Sequence, residues 1–481
     1  MSGNDLRALS PLFVIAATAI LAMLAIAFRR NHRLTLGIAL SGFALSFLAL
    51  WVSAAVIPRQ VTVLIVVDQY ALFYIGLIVS ATFVAAILCY GYFEKREGHP
   101  DEVYVLLPFA ALGSSVLVSS NHLVSFLLGL ELLSVSLYAL AAYTPQGKLP
   151  LEAGIKYLVL GASSAAILFF GMALIYAQLG SMDFSRLQVA IAAAGSQTLI
   201  LAGLALVITG LGFKLALVPF HLWTPDVYEG APAPVTAFLA TVSKGSVFAL
   251  LVRFFHSAGA LHAPAVFLVF SVVAISSMIA GNLLGMLQDN VKRILGYSSI
   301  AHMGYLMVAF LAAGSLGAES AAFYLVAYII TILGAFGVVT VLSEPDRDAD
   351  SLGDYRGLFW RRPGLAVIFT LMLLSLAGIP LTAGFVGKFY IIAAGAASAS
   401  WMLVLTLVLT SVFGLFYYLR VIVTLYERRP AAARGSDVIP MGRLSLSGRY
   451  VLAGLTVLLL WIGVYPAPLL KLIESAVKAF T

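Results

Sequence analysis

Apolar residues fall along the chain in long unbroken runs, at roughly 11–28, 34–57, 69–92, 103–119, 121–143, 152–178, 198–220, 234–259, 264–287, 292–314, 318–342, 363–396, 399–426 and 448–470. Polar positions are confined to the short segments between them. A bilayer core is crossed by about 20 helical residues. The pattern therefore predicts an all-α polytopic membrane protein with about fourteen transmembrane helices. The runs are Leu- and Ala-rich and do not alternate, which excludes the strands of a membrane barrel.

Two runs are interrupted in the same way. The stretch 198–230 carries Gly210, Gly212, Pro219, Pro225 and Gly230, and 363–396 carries Gly378, Pro380, Gly384 and Gly387 in a run too long for one straight span. Both predict discontinuous helices. They lie roughly 165 residues apart, and the runs starting near 103 and 264, 121 and 292, and 234 and 399 have similar offsets. Five spans per unit is an odd number, so the second unit enters the membrane inverted. The expected organisation is a three-helix segment (1–102), a first five-helix repeat (103–259), a second inverted five-helix repeat (264–426), and a loop with the last helix (427–481). Inverted repeats with one broken helix each place an ion path at their interface in secondary transporters.

Composition fixes the solvent and removes several chemistries. With 62% hydrophobic and 10% charged residues and a mean hydropathy of +1.03, the chain cannot cover a water-facing globule. One cysteine, Cys89, cannot build an iron–sulfur cluster, a thiolate zinc site or a CxxCH haem attachment. Neither GxxxxGK[ST] nor GxGxxG after a strand occurs, so the energy must come from an ion gradient or a partner. The net charge of +7 is scattered through loops and is no nucleic-acid footprint. It reports topology instead: one alternate set of loops holds about 17 basic residues, from Arg29 to Arg449, and the other about five. The positive-inside rule puts the rich set in the cytoplasm, both termini outside, and the span count even. The first run ends in Ala25-Ile26-Ala27, but its basic flank follows the apolar stretch, so it is expected to be a retained span.

Six basic residues fall within apolar runs. Arg253 and Arg420 lie near helix ends and are expected to snorkel to the headgroups. Lys156, also near an end, is either such an anchor or the first station of a proton entry path. Lys244 is about ten residues into its span, and Glu131 lies equally deep in 121–143. Lys214 and Lys388 each stand beside a helix break, and His302 is central to 292–314. A charged group at mid-bilayer costs about 2.5–3.5 kcal/mol, and a buried ion pair kept only for packing is usually no better than an apolar replacement. A row of lysines, a carboxylate and a histidine suits proton transfer, because burial and neighbouring charge oppose each other in setting proton affinity. Three of the groups being Lys, metal binding is disfavoured.

The run from Gly212 through Lys214, Pro219, His221, Pro225, Asp226 and Pro232 to Phe238, followed by Lys244, resembles the antiporter-like membrane subunits of respiratory complex I. So does Asn290-Val291-Lys292-Arg293-Ile294-Leu295-Gly296-Tyr297-Ser298-Ser299-Ile300-Ala301-His302-Met303-Gly304-Tyr305. The resemblance covers nearly the whole chain. Within the family, Lys388 stands where a paralogue has Glu, and no long lateral helix follows the last span. The resemblance implies a bacterial inner-membrane pump module moving H⁺ from cytoplasm to periplasm, driven by quinone reduction elsewhere. Glu131 matches the family's acid on the fifth helix, Lys214 the lysine of the broken seventh, Lys244 the central lysine of the eighth and Lys388 that of the twelfth. Lys156 and His302 match connecting positions. No cofactor is expected on this chain: NADH, FMN, iron–sulfur clusters and the quinone site belong to other subunits. The implied neighbours are subunits M and K and the lateral helix of subunit L, within a lipid bilayer and without nucleic acid. The alternatives are a subunit of an Mrp-type Na⁺/H⁺ antiporter, a free-standing secondary transporter and an inert scaffold. A row of charges, rather than one substrate-sized pocket, argues against the free-standing transporter.

Overall fold

The computed structural model describes every residue except 1, 97, 99, 145–147, 188–197, 258–263, 313, 429–445 and 479–481. Arg429, Arg434 and Arg443 of the basic loop set therefore lie outside the described residues. The helices run α1 (Gly3–Ala8), α2 (Ser10–Phe28), α3 (His32–Ala54), α4 (Gln69–Phe93), α5 (Val103–Val118), α6 (Leu123–Ala141), α7 (Lys148–Leu179), α8 (Thr198–Leu215), α9 (Trp223–Gly230), α10 (Ala233–Phe238), α11 (Lys244–Ser257), α12 (Pro264–Met286), α13 (Val291–Leu311), α14 (Ser315–Leu342), α15 (Leu352–Tyr355), α16 (Leu358–Arg361), α17 (Pro363–Ala377), α18 (Ala383–Ala397), α19 (Trp401–Tyr426), α20 (Leu446–Val464) and α21 (Ala467–Val477). A two-residue antiparallel pair, Arg59–Gln60 with Val66–Val67, decorates the α3–α4 loop.

Thirteen helical spans among the described residues are long and apolar enough to cross a membrane. The expected run 363–396 is instead two shorter apolar helices, α17 and α18. The last apolar run is shorter than its sequence suggests: α20 stops at Val464, and α21 is a separate, amphipathic helix.

Burial divides the helices into an axis and a coat. The most apolar stretches of the spans Ala233–Ser257, Val291–Leu311 and Ser315–Leu342 are wholly buried, whereas those of Ser10–Phe28, His32–Ala54 and Ser447–Val464 are only about a third buried. In lipid, exposed Leu, Val and Phe on the coat cost nothing, so an apolar outer face and an equally apolar core coexist. Close backbone approaches hold the bundle together. A Cβ on Gly113 of α5 would lie 2.6 Å from Leu133 N and 2.8 Å from Gly129 O of α6. A Cβ on Gly281 of α12 would lie 2.6 Å from Ala301 N and 2.9 Å from Tyr297 O of α13, the same contact 168 residues further on.

Both sequence-predicted breaks are present. Helix α8 ends at Leu215, with Ala216 at φ +59°, and the chain resumes as α9 at Trp223. The freed backbone groups find partners, as a membrane interior demands: Trp223 Nε1 donates to Phe213 O at 2.9 Å, and Val218 N to Ser277 Oγ at 2.9 Å. Helix α17 ends on Gly378 at φ +83°, and Thr382 caps α18 with a hydroxyl that accepts from Phe385 N at 3.4 Å.

Arg253 departs from expectation. It does not snorkel but is buried, with Nη1 and Nη2 donating to Asp68 at 2.9 and 2.7 Å. Its carboxylate partner lies 185 residues away in sequence, so proximity along the chain gave no sign of the pair. Arg420 does reach a helix end, contacting the Gln288 carbonyl and exposed Asp289.

Candidate functional site: a row of buried lysines and hydroxyls

Lys214 is the penultimate residue of α8, placed at the break by the Gly and Pro residues around it. It is 4% exposed, and its Nζ donates to Ser134 Oγ at 2.6 Å and Tyr138 OH at 3.3 Å, both on α6. Glu131 is on the same helix, one turn before Ser134. Its Oε1 is buried without a hydrogen-bond partner. The Ser134 hydroxyl that accepts from Lys214 donates its own proton to Leu130 O at 2.6 Å.

Lys244 is fully buried on the axis. The five residues before it, Leu239–Ser243, form a π-helical turn, a distortion that frequently marks functional sites in helices. Nζ donates to Ser299 Oγ of α13 at 2.7 Å and lies 5.3 Å from the Tyr228 ring centroid. The same Ser299 oxygen accepts from Tyr328 OH of α14 at 2.7 Å, and Tyr228 OH lies 3.4 Å away. One turn along α13, His302 Nδ1 lies 2.5 Å from Tyr324 OH and Nε2 lies 3.1 Å from Tyr418 OH, which in turn contacts Ser298 Oγ at 2.5 Å. The Tyr328 ring, 5.6 Å from that of His302, joins the two groups.

Lys388 occupies the second break. Its Nζ donates to Ala377 O, at the C-terminal end of α17, at 3.0 Å and to Ser411 Oγ at 3.4 Å. A cation there meets the negative end of the α17 dipole. The Tyr305 ring, 5.0 Å from Nζ and 5.3 Å from the His302 ring, lies between the two.

Lys156 stands apart from this row. Its side chain is 41% exposed and paired with Glu152 at 2.7 Å and Asp226 at 2.8 Å. Lys156 and Lys292 have carboxylate partners, while Lys214, Lys244 and Lys388 donate to hydroxyl and carbonyl oxygens. A lysine on hydroxyls can release a proton without leaving an unpaired carboxylate behind, and each hydroxyl both donates and accepts. Among the described residues no group of three His, Cys, Asp or Glu could hold a metal.

The hydroxyls were not singled out by sequence reasoning, although their spacing signals them. Glu131, Ser134 and Tyr138 follow i, i+3, i+7 on α6, and Ser298, His302 and Tyr305 follow i, i+4, i+7 on α13. A polar stripe of that period in an apolar helix marks an inward face.

A family model described as NADH:quinone oxidoreductase/Mrp antiporter, TM, matches residues 120–414, which contain Glu131, Lys156, Lys214, Lys244, His302 and Lys388. A protein named NADH-quinone oxidoreductase subunit N from Nitrosospira multiformis is 53% identical over 98% of this chain and 96% of its own. The chain belongs to the NADH-quinone oxidoreductase subunit N family. Membership extends to the fold: a chain of respiratory complex I from Thermus thermophilus, solved with bound aureothin, is 32% identical, with a TM-score of 0.82 over 97% of this chain and 99% of that one. A chain of the Mrp complex from Dietzia shares the fold at a TM-score of 0.88 over 100% of this chain and 98% of that one, but only 20% identity. The subunit N likeness thus extends over nearly the whole chain, and the likeness to the Mrp chain is one of fold.

Proposed function

We infer that this chain is the proton-translocating N subunit of a multi-subunit NADH-quinone oxidoreductase. Protons move along Lys214, Lys244, His302 and Lys388, with Glu131 as the acid that modulates Lys214 and Lys156 at an entrance. The observation that carries this reading is Lys244: a fully buried lysine, mid-span, hydrogen-bonded to a hydroxyl that also serves Tyr328. Placing it there costs about 2.5–3.5 kcal/mol, and its partners offer no compensating charge. The proton-accepting hydroxyls on α6, α13, α14 and α19 supply what a relay needs, and the bilayer coat keeps bulk water out.

The driving redox chemistry belongs to other subunits, which carry NADH, FMN, iron–sulfur clusters and the quinone site. Subunits M and K and the lateral helix of subunit L are the neighbours this reading assigns. Both termini face the periplasm of a bacterial inner membrane, so transport runs from cytoplasm to periplasm. The recurrence of the Gly113 contact at Gly281 supports reading 103–259 and 264–426 as inverted repeats. In that frame Glu131 is matched by Ser299, and Ser134 by His302. The second half thus carries a hydroxyl where the first carries its acid.

The test is proton pumping by the assembled complex carrying Lys244→Ala. The expected result is a lower number of protons moved per NADH oxidised, with NADH oxidation by an artificial electron acceptor intact.

A further inference from the structure

A second cluster of charges lies on the basic-loop side, where the proton row does not reach. Its centre is Asp348, in the loop after α14, with a side chain 11% exposed. The carboxylate is fully engaged. Oδ2 accepts from Lys292 Nζ at 2.7 Å and from the backbone N–H of Ala233 at 3.2 Å. Oδ1 accepts from Tyr92 OH at 2.7 Å and Arg96 Nη2 at 3.3 Å. Lys292 Nζ, itself 1% exposed, also donates to Ala231 O at 2.7 Å. The loop is stitched to the start of α13, because Leu352 N donates to Asp289 O at 3.1 Å and Val291 N to Asp350 O at 2.5 Å.

The helices gripped are the informative feature. Ala231 and Ala233 begin the segment that rises through α10 and the π turn to Lys244. Lys292 is the second residue of α13 and stands two helical turns before Ser299. The carboxylate and ammonium therefore tie together the near ends of the two elements whose mid-depth residues, Lys244 and Ser299, touch at 2.7 Å. A buried carboxylate with four donors is rigid, since losing any one donor leaves a buried acceptor unpaired. The π turn between Ala233 and Lys244 is the deformable part of this lever, so slack at the clamp would appear at Lys244.

We propose that Asp348 is a positioning residue: with Lys292 it clamps the Ala231–Ala233 corner to α13 and thereby holds Lys244 on Ser299. The consequence for transport rests on the relay reading above; the clamp itself does not.

The experiment separates the two. In the purified complex with Cys89→Ser, Ser299→Cys places a thiol at the contact, and its alkylation by N-ethylmaleimide is followed by peptide mass spectrometry. Adding Asp348→Asn or Lys292→Met should accelerate alkylation about tenfold, and Asp348→Glu should stay nearer the parent rate. In the Ser299 background, Asp348→Asn should lower the protons moved per NADH, with electron entry intact. Unchanged alkylation in assembled Asp348→Asn and Lys292→Met complexes overturns the clamp, as does failure of both variants to assemble, which would make the cluster a requirement of folding. Faster alkylation with an unchanged proton yield upholds the clamp and instead contradicts transport through Lys244.

Discussion

Lys214 donates to the hydroxyl of Ser134 at 2.6 Å, that hydroxyl donates in turn to the Leu130 carbonyl at 2.6 Å, and Glu131 stands one turn before Ser134 on the same helix. The arrangement makes Ser134 as consequential as either charged group. Ser134→Ala removes a hydrogen bond to a charged donor, worth about 1.5–3 kcal/mol, and should slow proton-coupled quinone reduction about tenfold or more. Glu131→Asp should retain much of the activity and Glu131→Gln little. The double change Glu131→Gln with Ser134→Ala should lose less than the two single losses combined, because both residues bear on the one Lys214 ammonium. Additive losses in turnover would show that the two residues act independently.

At the second break, Gly378 has φ +83°, and a Cβ there would lie 2.8 Å from Lys388 Cδ. Gly378→Ala should therefore displace Lys388 from the Ala377 carbonyl and cost about 1–2 kcal/mol in backbone strain. Assembly should survive while proton transport falls several-fold. The comparison that checks it is Gly364→Ala, at a glycine with nothing within 4 Å of its Cβ, which should behave as wild type.

Orientation follows from the basic loops. Single cysteines placed at positions 3 and 480 in a Cys89→Ser background should react with an impermeant thiol reagent from the periplasmic side. Labelling of either only from the cytoplasm would reverse the topology.

The Asp348 cluster carries a pH prediction. Burial alone would raise its carboxyl, but the charge of Lys292, hydrogen bonds from Lys292 and Tyr92, and the charge of Arg96 hold it below the usual value of 3.8. Asp350, beside it, is pushed up by burial. A depressed carboxyl contributes stability fully above its unfolded value and loses it as pH falls through the folded one. The alkylation rate at position 299 should therefore be insensitive to titration of Asp348 at neutral pH. Expressed relative to an unhindered model thiol at the same pH, since only the thiolate reacts, it should rise only below about pH 4. A rise that requires only protonation of Asp350 would begin at higher pH, and Asp350→Asn should abolish it.

The fold was legible because lipid imposes a one-dimensional rule: length and apolarity of a run predict a span, and Gly with Pro predicts its breaks. The charged members of the row were legible for the same reason, since Lys244 and Glu131 have no cheap reason to sit at mid-depth. Their partners were not. Ser134, Ser299 and Tyr328 cost little in an apolar helix, so only their period sets them apart. The π turn at Leu239–Ser243 is built from Leu, Ala, Thr, Val and Ser, none of which marks it in the sequence. Arg253 illustrates the limit. Its position near a helix end suggested snorkelling, and only tertiary structure supplies Asp68.

The most direct measurement is the ratio of protons translocated to NADH oxidised by the assembled complex reconstituted in vesicles, comparing wild type with Lys244→Ala. Transport through the row predicts a lower ratio in Lys244→Ala, with electron entry from NADH to an artificial acceptor unchanged. A wild-type ratio together with wild-type quinone turnover in the assembled variant would contradict it.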